Sequence, residues 1–247
     1  NGAYKVDLFP RRGELVGAQD ELVYTIQLPA PGEQKFWEAG DLIGPGKVAA
    51  LDLLPDGQLV EFGTFLTDKN EPRCYLRRRQ KDGTWFQADF IPVLPDSNCT
   101  AIDMKIDREL GTMHVLLNRT GGDGTKWWLG EISSWGKGVK NIGLGAEDDQ
   151  AEALALAPGV VAVCGAKPLT DDIDAAAWLH RPNQPVETRL FDHITVIGPH
   201  TLDENARDCV FSGEVLVLVG EGLGTLTPKD PIRSHRFLLE HDMVTNF

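Results

Sequence analysis

An acidic residue recurs in a set of short apolar segments along this 247-residue chain. The four residues are Asp7, Asp52, Asp103 and Asp208. Carboxylates gathered around one channel could bind a cation or a basic group, and paired carboxylates carry out acid–base chemistry on glycosidic bonds. The alternative is a solvated or hydrogen-bonded position that recurs only because the segment around it recurs. We expect this second role, and keep the four residues as candidate channel acids.

A second recurrent set is aromatic and lies near the start of a later segment of the same repeats. Its members are Phe36, Trp85, Phe86, Trp135 and Phe191. A pyranose ring presents an apolar C–H face that can stack on such side chains, while packing between sheets explains them as simply. We take the five as candidate ligand-binding residues. Trp135 is the first choice because it lies in the glycine-rich segment 133–138.

The sequence shows no other catalytic or metal-binding pattern. None of the six histidines has the i, i+4 or His-x-His spacing of a metal site. There is no Gly-x-Ser-x-Gly elbow, phosphate-binding loop or dinucleotide fingerprint. The segment Thr120–Thr125 lacks the closing glutamate of a calcium loop. We therefore expect no catalytic residue, no bound metal and no cofactor.

Cysteine usage bears on where the protein works. The four cysteines are Cys74, Cys99, Cys164 and Cys209. They are widely spaced with no Cys-x-x-Cys pair, which argues against zinc and leaves either two disulfides or four buried thiols. Cys164 lies in an apolar run, so we interpret it as a core thiol rather than a nucleophile. Sequons at Asn98 and Asn118 are compatible with secretion, and we expect an extracellular protein, with a cytoplasmic one as the alternative.

The charge of the chain limits its partners. Its formal net charge is −13 and its pI is near 4.8. An acidic surface argues against nucleic acid or an anionic membrane as partner. No apolar stretch approaches the roughly 20 residues that a membrane-spanning helix needs, so we expect no membrane insertion.

The elements that must position these residues form a repeat of about 45–55 residues. The clearest pair of copies is Val6–Gly17 and Leu51–Gly63, each with two short apolar runs around a proline-glycine turn. Short runs of alternating polarity, separated by Gly, Pro and Asp, are typical of β-strands, and each repeat holds four of them. The predicted repeats are approximately 4–46, 47–98, 99–149, 150–203 and 204–247. We predict an all-β, five-bladed β-propeller of four-stranded antiparallel blades, a single domain over 1–247. Part of a larger propeller is the alternative, because the fifth repeat ends in only a short tail for its last strand.

A further element follows the predicted fourth strand of three repeats. It reads Ile43-Gly-Pro-Gly46, Ile142-Gly-Leu-Gly145 and Ile197-Gly-Pro-His200. This repeat resembles that of the tachylectin-type five-bladed β-propeller lectins in the order of its parts: first strand, turn, second strand, proline-containing loop, aromatic residue and Ile-Gly-x-Gly. That resemblance implies the propeller fold and the binding of N-acetylated sugars. The chain departs from the family pattern where Lys47 and Val48 stand in place of its Gly-Trp.

Together these features predict a non-catalytic, lectin-like protein with a similar shallow carbohydrate site on each blade, which would gain avidity from repetition. The expected partner is a glycan or glycoprotein. One alternative is a propeller scaffold with a protein partner. Another is a glycan-acting propeller enzyme, for which we would expect one unusual acid pair that breaks the repeat, and the sequence analysis identifies none.

Overall fold

The protein is described here by a computed structural model. The residues that it describes are 2–8, 11–12, 15–16, 20–26, 45–79, 91–94, 97–121, 124–133, 135, 138–169, 173–191, 203–224 and 233–242. All regular elements in these ranges are antiparallel β-strands, which confirms the predicted all-β class. Nowhere in the same ranges is there a helix able to span a membrane. The chain divides into two compact units, Asn1–Asp41 and Leu42–Phe247; the single-domain assignment and the repeat boundaries stay predictions.

The described residues of the first unit form four short strands. They are β1 (Gly2–Leu8), β2 (Arg11–Arg12), β3 (Leu15–Val16) and β4 (Asp20–Ile26). The sequence predicts that β1, the run around β3 and β4 follow one another as neighbours. Instead β1 pairs directly with β4, and β2 pairs with β3. Only two residues separate β2 from β3, so this hairpin closes locally at little entropic cost. The predicted fourth strand of this repeat lies outside the described residues.

In the second unit the described residues form four consecutive antiparallel sheets, each with its strands in chain order. Sheet I has β5 (Gly46–Leu53), β6 (Leu59–Leu66), β7 (Pro72–Arg79) and β8 (Ile91–Pro92). Sheet II has β9 (Asn98–Asp107), β10 (Thr112–Gly121), β11 (Gly124–Ile132) and β12 (Lys140–Leu144). Sheet III has β13 (Gln150–Ala157), β14 (Val160–Pro168), β15 (Ile173–His180) and β16 (Glu187–Phe191). Sheet IV has β17 (Asp203–Ser212), β18 (Val215–Gly224) and β19 (Arg233–Asp242).

The first strands of successive sheets lie beside one another: β5 contacts β9, β9 contacts β13 and β13 contacts β17. Meanders whose innermost strands follow one another in this way are the blades of a β-propeller. The predicted propeller class is therefore confirmed.

Each pair of neighbouring sheets encloses an apolar core, as the stacking of repeats requires. For the adjacent residues Trp127 and Trp128 the sequence predicts one ring in and one ring out. The two rings do lie on opposite faces of sheet II, but neither is exposed. Trp127 packs in the core towards sheet III and Trp128 in the core towards sheet I. Both are buried because both faces of the sheet are covered. Trp127 also meets Trp178 of sheet III with ring centroids 5.4 Å apart, a favourable aromatic arrangement.

The cysteines follow neither of the two predicted alternatives. Cys164 of β14 and Cys209 of β17 form a disulfide that joins sheets III and IV. Cys74 and Cys99 are buried, unbridged thiols. The interpretation of Cys164 as a core thiol is therefore wrong in its chemistry, although the residue is fully buried. An apolar run predicts burial, but it carries no information about which other cysteine the fold brings close.

Candidate functional site: an acidic cleft between two sheets

The recurrent aspartates of sheets I and II hold neighbouring first strands together. Oδ1 of Asp103 accepts a hydrogen bond from the N–H of Met104 at 2.7 Å, and Oδ2 accepts one from Leu154 of β13 at 3.0 Å. Asp52 does the same one sheet earlier: it accepts from Leu53 at 2.7 Å and from Ile106 of β9 at 3.2 Å. In both cases the second donor is a backbone amide of the next sheet. Asp52 and Asp103 therefore recur at a position that binds neighbouring first strands by hydrogen bonds, which is the role expected from the sequence.

The other two candidate acids contribute less. Asp208 accepts a hydrogen bond from the N–H of Cys209 at 2.8 Å and is otherwise exposed. Asp7 lies in β1 opposite Glu21, and its side chain is outside the described part. Within the described ranges no group of three or more His, Cys, Asp and Glu side chains is arranged to hold a metal ion.

Two of the five candidate aromatic residues are described, and both pack against cores. Trp135 lies against the core between sheets I and II, with the guanidinium carbon of Arg78 5.0 Å from the centre of its ring. Phe191, at the end of β16, packs against the core between sheets III and IV. Phe36, Trp85 and Phe86 lie outside the described residues. A ligand-binding role for the five residues stays a prediction.

Each sheet has a β-bulge in its first strand, and the residue at the bulge differs between the sheets. The bulge residue is Ala49 in sheet I and Ile102 in sheet II. It is Glu152 in sheet III and Arg207 in sheet IV. A bulge re-aims a side chain out of the regular alternation of a strand, and bulges are common beside functional sites. The repeat is therefore broken at one structural position, where two charged residues replace two apolar ones.

Arg207 links sheets III and IV through two carboxylates. Its Nε and Nη2 donate to Oε1 of Glu221 at 3.0 and 2.7 Å, and its Nη1 donates to Oε1 of Glu152 at 2.7 Å. These interactions, the hydrogen bond to Glu221 foremost, raise the pKa of Arg207. Asn205 Nδ2 also donates to Glu152, at 3.4 Å. Two bulged side chains thus meet across the sheet boundary, and Glu221 is fixed in its orientation by the guanidinium.

A cleft of about 330 Å³ opens beside this network. Its lining residues are Gln150, Ala166, Ile173, Asp203, Glu204, Asn205, Arg207, Glu221 and Gly222. Three of the lining residues are acidic and one, Arg207, is basic. The excess of acidic groups disfavours an anionic ligand, and the amides and carboxylates offer many hydrogen-bond partners to a polar one.

Two glutamates of the cleft lie in contrasting surroundings. Glu204 of β17 is 2% exposed, whereas the side chain of Glu221 of β18 is 48% exposed. Glu204 lies opposite Gly222 in the ladder, and a Cβ atom on that glycine would be 3.3 Å from its Cγ. The absence of a side chain at Gly222 therefore leaves room for the buried glutamate. Two carboxyl groups with different solvent access in one cleft are a common basis for separate acid and base roles.

Two histidines meet near the boundary of sheets II and III, away from the cleft. His114 of β10 is 7% exposed and lies opposite Glu131 of β11. Burial lowers its pKa, the charge of His180 lowers it further, and the negative charges of Glu131 and Asp107 act in the opposite direction. Burial also lowers the pKa of His180 at the end of β15. Burial therefore favours the neutral form of both imidazoles.

The sequence analysis missed the cleft for an identifiable reason. The short runs of the sequence predict first strands over 153–157 and 208–211, and both predictions begin one residue after the bulges. The observed strands begin at Gln150 and Asp203. The signal that was available is the mostly polar run Asp203-Glu-Asn-Ala-Arg207, which directly precedes the predicted strand 208–211.

Comparison with known proteins finds similarity among solved structures. No family model matches the chain, and no curated protein does. Among solved structures, the chain is similar to a thermostable family-43 glycoside hydrolase, with 9% identity and a TM-score of 0.42 over 77% of this chain and 72% of that one. It is also similar to an endo-arabinase from Bacteroides thetaiotaomicron, with 12% identity and a TM-score of 0.41 over 95% of this chain and 84% of the other.

The propeller fold rests on the arrangement of the sheets, and nothing in the comparisons supports the tachylectin type in particular. The prediction of a non-catalytic lectin with a similar site on each blade is corrected by the geometry: the two aromatic residues that are described support cores, and the position that breaks the repeat carries charged groups. The class defined by fold and site is a β-propeller with one asymmetric acidic cleft.

Proposed function

We propose that the protein is a glycan-acting enzyme that cleaves a glycosidic bond in the cleft between sheets III and IV. One observation carries the proposal: the repeat is broken at the bulges of β13 and β17, where Glu152 and Arg207 meet beside a cleft lined by acidic residues. An enzyme of this fold is expected to carry one unusual acid pair that breaks the repeat, and the proposal assigns that role to Glu204 and Glu221 of this cleft. The support for this proposal comes from the cleft itself.

The lining of the cleft defines the class of substrate. Asp203, Glu204 and Glu221 outnumber the single cation Arg207, so a neutral or cationic sugar fits better than an acidic one. The volume of about 330 Å³ is at the lower end of the range for ligand sites, which suits a short segment of a glycan. Asn205 and Gln150 supply amide groups that can both donate to and accept from sugar hydroxyls.

The chemistry requires two carboxyl groups on opposite sides of the scissile bond. In the proposed reaction Glu204 donates a proton to the leaving oxygen as the bond between that oxygen and the anomeric carbon breaks. Glu221, held in a salt bridge by Arg207, acts on the other side and accepts a proton from the water whose oxygen bonds to the anomeric carbon. The products are two sugars with free hydroxyl groups, and Arg207 serves as a positioning residue.

The proposal is tested by measuring the release of reducing ends from a panel of neutral polysaccharides and of aryl glycosides. The matched variants are E204Q and E221Q, which keep size and hydrogen bonding, and the control is E109Q at an exposed turn far from the cleft in the sequence. We expect turnover by the native protein and by E109Q, and a loss of about 10²–10⁴-fold in both cleft variants. No turnover on any substrate, or equal rates in all four proteins, would overturn the proposal.

We also propose an extracellular location for the protein. The support is the Cys164–Cys209 disulfide, since such bonds persist in oxidising compartments. Asn98, the acceptor of one sequon, is exposed. The test is expression in a secreting host, followed by treatment of the product with a glycosidase that removes N-linked glycans. We expect secreted protein that contains the Cys164–Cys209 disulfide. Retention in the cytoplasm with both of these cysteines reduced and activity intact would contradict it. A protein partner stays a prediction.

A further inference from the structure

The two unbridged cysteines face each other across the boundary between sheets I and II. Cys74 belongs to β7 and Cys99 to β9, and both lie in the apolar core that joins the two sheets. They are 0% and 1% exposed. The backbone N–H of Cys74 donates a hydrogen bond to Sγ of Cys99 at 2.9 Å. The two residues are therefore held close by the fold and are not merely buried in the same core.

Their surroundings give the two thiols different chemistry. The pKa of Cys99 is lowered, chiefly by the side-chain hydrogen bond from Cys74 and also by the Cys74 backbone amide and the charge of Arg73. Burial raises the pKa of Cys74, and its interaction with Cys99 raises it further. The thiolate, which is the reactive form, is thus favoured on Cys99, while Cys74 keeps its proton.

The bridge between sheets III and IV has the same plan. In each pair one cysteine, Cys99 or Cys209, lies on the first strand of a sheet, and the other lies on a strand of the preceding sheet. Cys164, which is bridged, is as deeply buried as Cys74, so burial in a core between sheets is compatible with a disulfide in this fold.

We propose that Cys74 and Cys99 form an oxidisable dithiol, which a peroxide converts to a second disulfide between sheets. The Cys99 thiolate attacks one oxygen of hydrogen peroxide; the O–O bond breaks, hydroxide leaves, and Cys99 becomes a sulfenic acid. The sulfur of Cys74 then attacks the Cys99 sulfur, the S–O bond breaks, and water leaves with the proton of Cys74. The hydroxide released in the first step takes up the proton that Cys99 lost. Two thiols and one hydrogen peroxide therefore give one disulfide and two waters.

The new bond would fix β7 to β9 across a separation of 25 residues. A cross-link of this length removes conformations from the unfolded chain, so the oxidised form would be more stable than the reduced form. A small oxidant is required because neither sulfur is exposed. The inference is independent of the proposed activity, since the cysteines lie between sheets I and II and the cleft between sheets III and IV.

The test treats the native protein and the variants C74S and C99S with hydrogen peroxide. Non-reducing proteolysis with mass spectrometry then shows the state of each cysteine. We expect a cross-linked peptide pair containing Cys74 and Cys99, and a rise in Tm of several degrees that reverses on reduction of that bond. C99S should show no cross-link and no rise, and C74S should accumulate oxidised Cys99 without a cross-link.

Three results would overturn the proposal. They are two thiols that stay unchanged after peroxide treatment, separate oxidation of both cysteines to sulfinic acids, and cross-links to Cys164 or Cys209 in place of the expected pair. The peptide map of the native protein decides among them, so the test does not depend on the folding of either variant.

Discussion

Replacement of Asp103 by alanine should destabilise the protein by about 3–4.5 kcal/mol. The carboxylate accepts two backbone hydrogen bonds, from Met104 at 2.7 Å and from Leu154 at 3.0 Å. Hydrogen bonds to a charged group contribute about 1.5–3 kcal/mol each, and the residual exposure of the site favours the lower half of the sum. The ion pair with Lys105, at 3.2 Å, adds little because the lysine is exposed. Asn at this position retains one acceptor oxygen, so D103N should lose about half as much.

Urea denaturation followed by tryptophan fluorescence measures this loss, since six tryptophans report on the fold. The control is D68A, at an exposed position in a turn. We expect D103A to lower the midpoint with an unchanged m-value, D103N to lie between D103A and the native protein, and D68A to stay within about 0.5 kcal/mol of the native protein. Equal stabilities for D103A and D68A would refute the idea that this aspartate joins neighbouring first strands.

The remaining predictions concern the disulfide, a buried histidine and a glycine. Replacing Cys164 and Cys209 together by alanine should lower the free energy of unfolding by about 4 kcal/mol, because the disulfide restricts the unfolded chain across a separation of 45 residues. Denaturation of both proteins without reductant measures this loss. A loss under about 1 kcal/mol would contradict the prediction. Because the folded-state pKa of His114 is lowered, the unfolded chain binds more protons between the folded and unfolded values. The free energy of unfolding should therefore be highest above about pH 6.5 and decline below it. H114N should reduce this decline when unfolding is measured as a function of pH. The same pH dependence in H114N and the native protein would contradict a role for His114. Gly165→Ala should destabilise the protein by more than about 2 kcal/mol, because the new Cβ would overlap the backbone oxygen of Gln150 in β13. The control is Gly138→Ala, whose Cβ would have no atom within 4 Å. In a thermal melt the control should behave like the native protein, and equal melting of both variants would contradict the prediction.

Much of the second unit could be predicted from its apolar runs. The third repeat is an example: the predicted runs 112–117 and 127–132 lie within the observed strands Thr112–Gly121 and Gly124–Ile132. The central residues of both strands, 113–117 and 127–130, are buried because sheet II is covered on two faces, and these stretches are mostly apolar, so the pattern is strong there. The placement of Trp127 and Trp128 on opposite faces follows from the period of two in a strand and is observed, although neither ring is exposed.

The candidate site could not be predicted because it depends on irregular and long-range features. A bulge adds one residue to a strand, and a polar residue at the bulge, such as Glu152 or Arg207, looks like the end of an apolar run. The sequence also does not show that Arg207 faces Glu152, since 55 residues separate them. For the same reason the pairing of Cys164 with Cys209 depends on how the sheets stack and not on the spacing of cysteines.

The pairing in the first unit failed for a local reason. The sequence there has a first run, a turn and a second run like the other repeats, but the second run is short. Leu15–Val16 pairs with Arg11–Arg12, and β4 takes its place beside β1. Repeat similarity predicts the number of strands better than it predicts which strands are neighbours.

The most direct test of the central claim is the hydrolysis rate of E204Q on the best substrate found for the native protein. Thermal melts of both proteins accompany the rates and show that the variant is folded. Since Glu204 lines the cleft and is the proposed proton donor, we predict a rate at least 100-fold lower with a KM within a few-fold of the native value. An unchanged rate in folded E204Q would contradict the assignment of the cleft as the site of glycan cleavage.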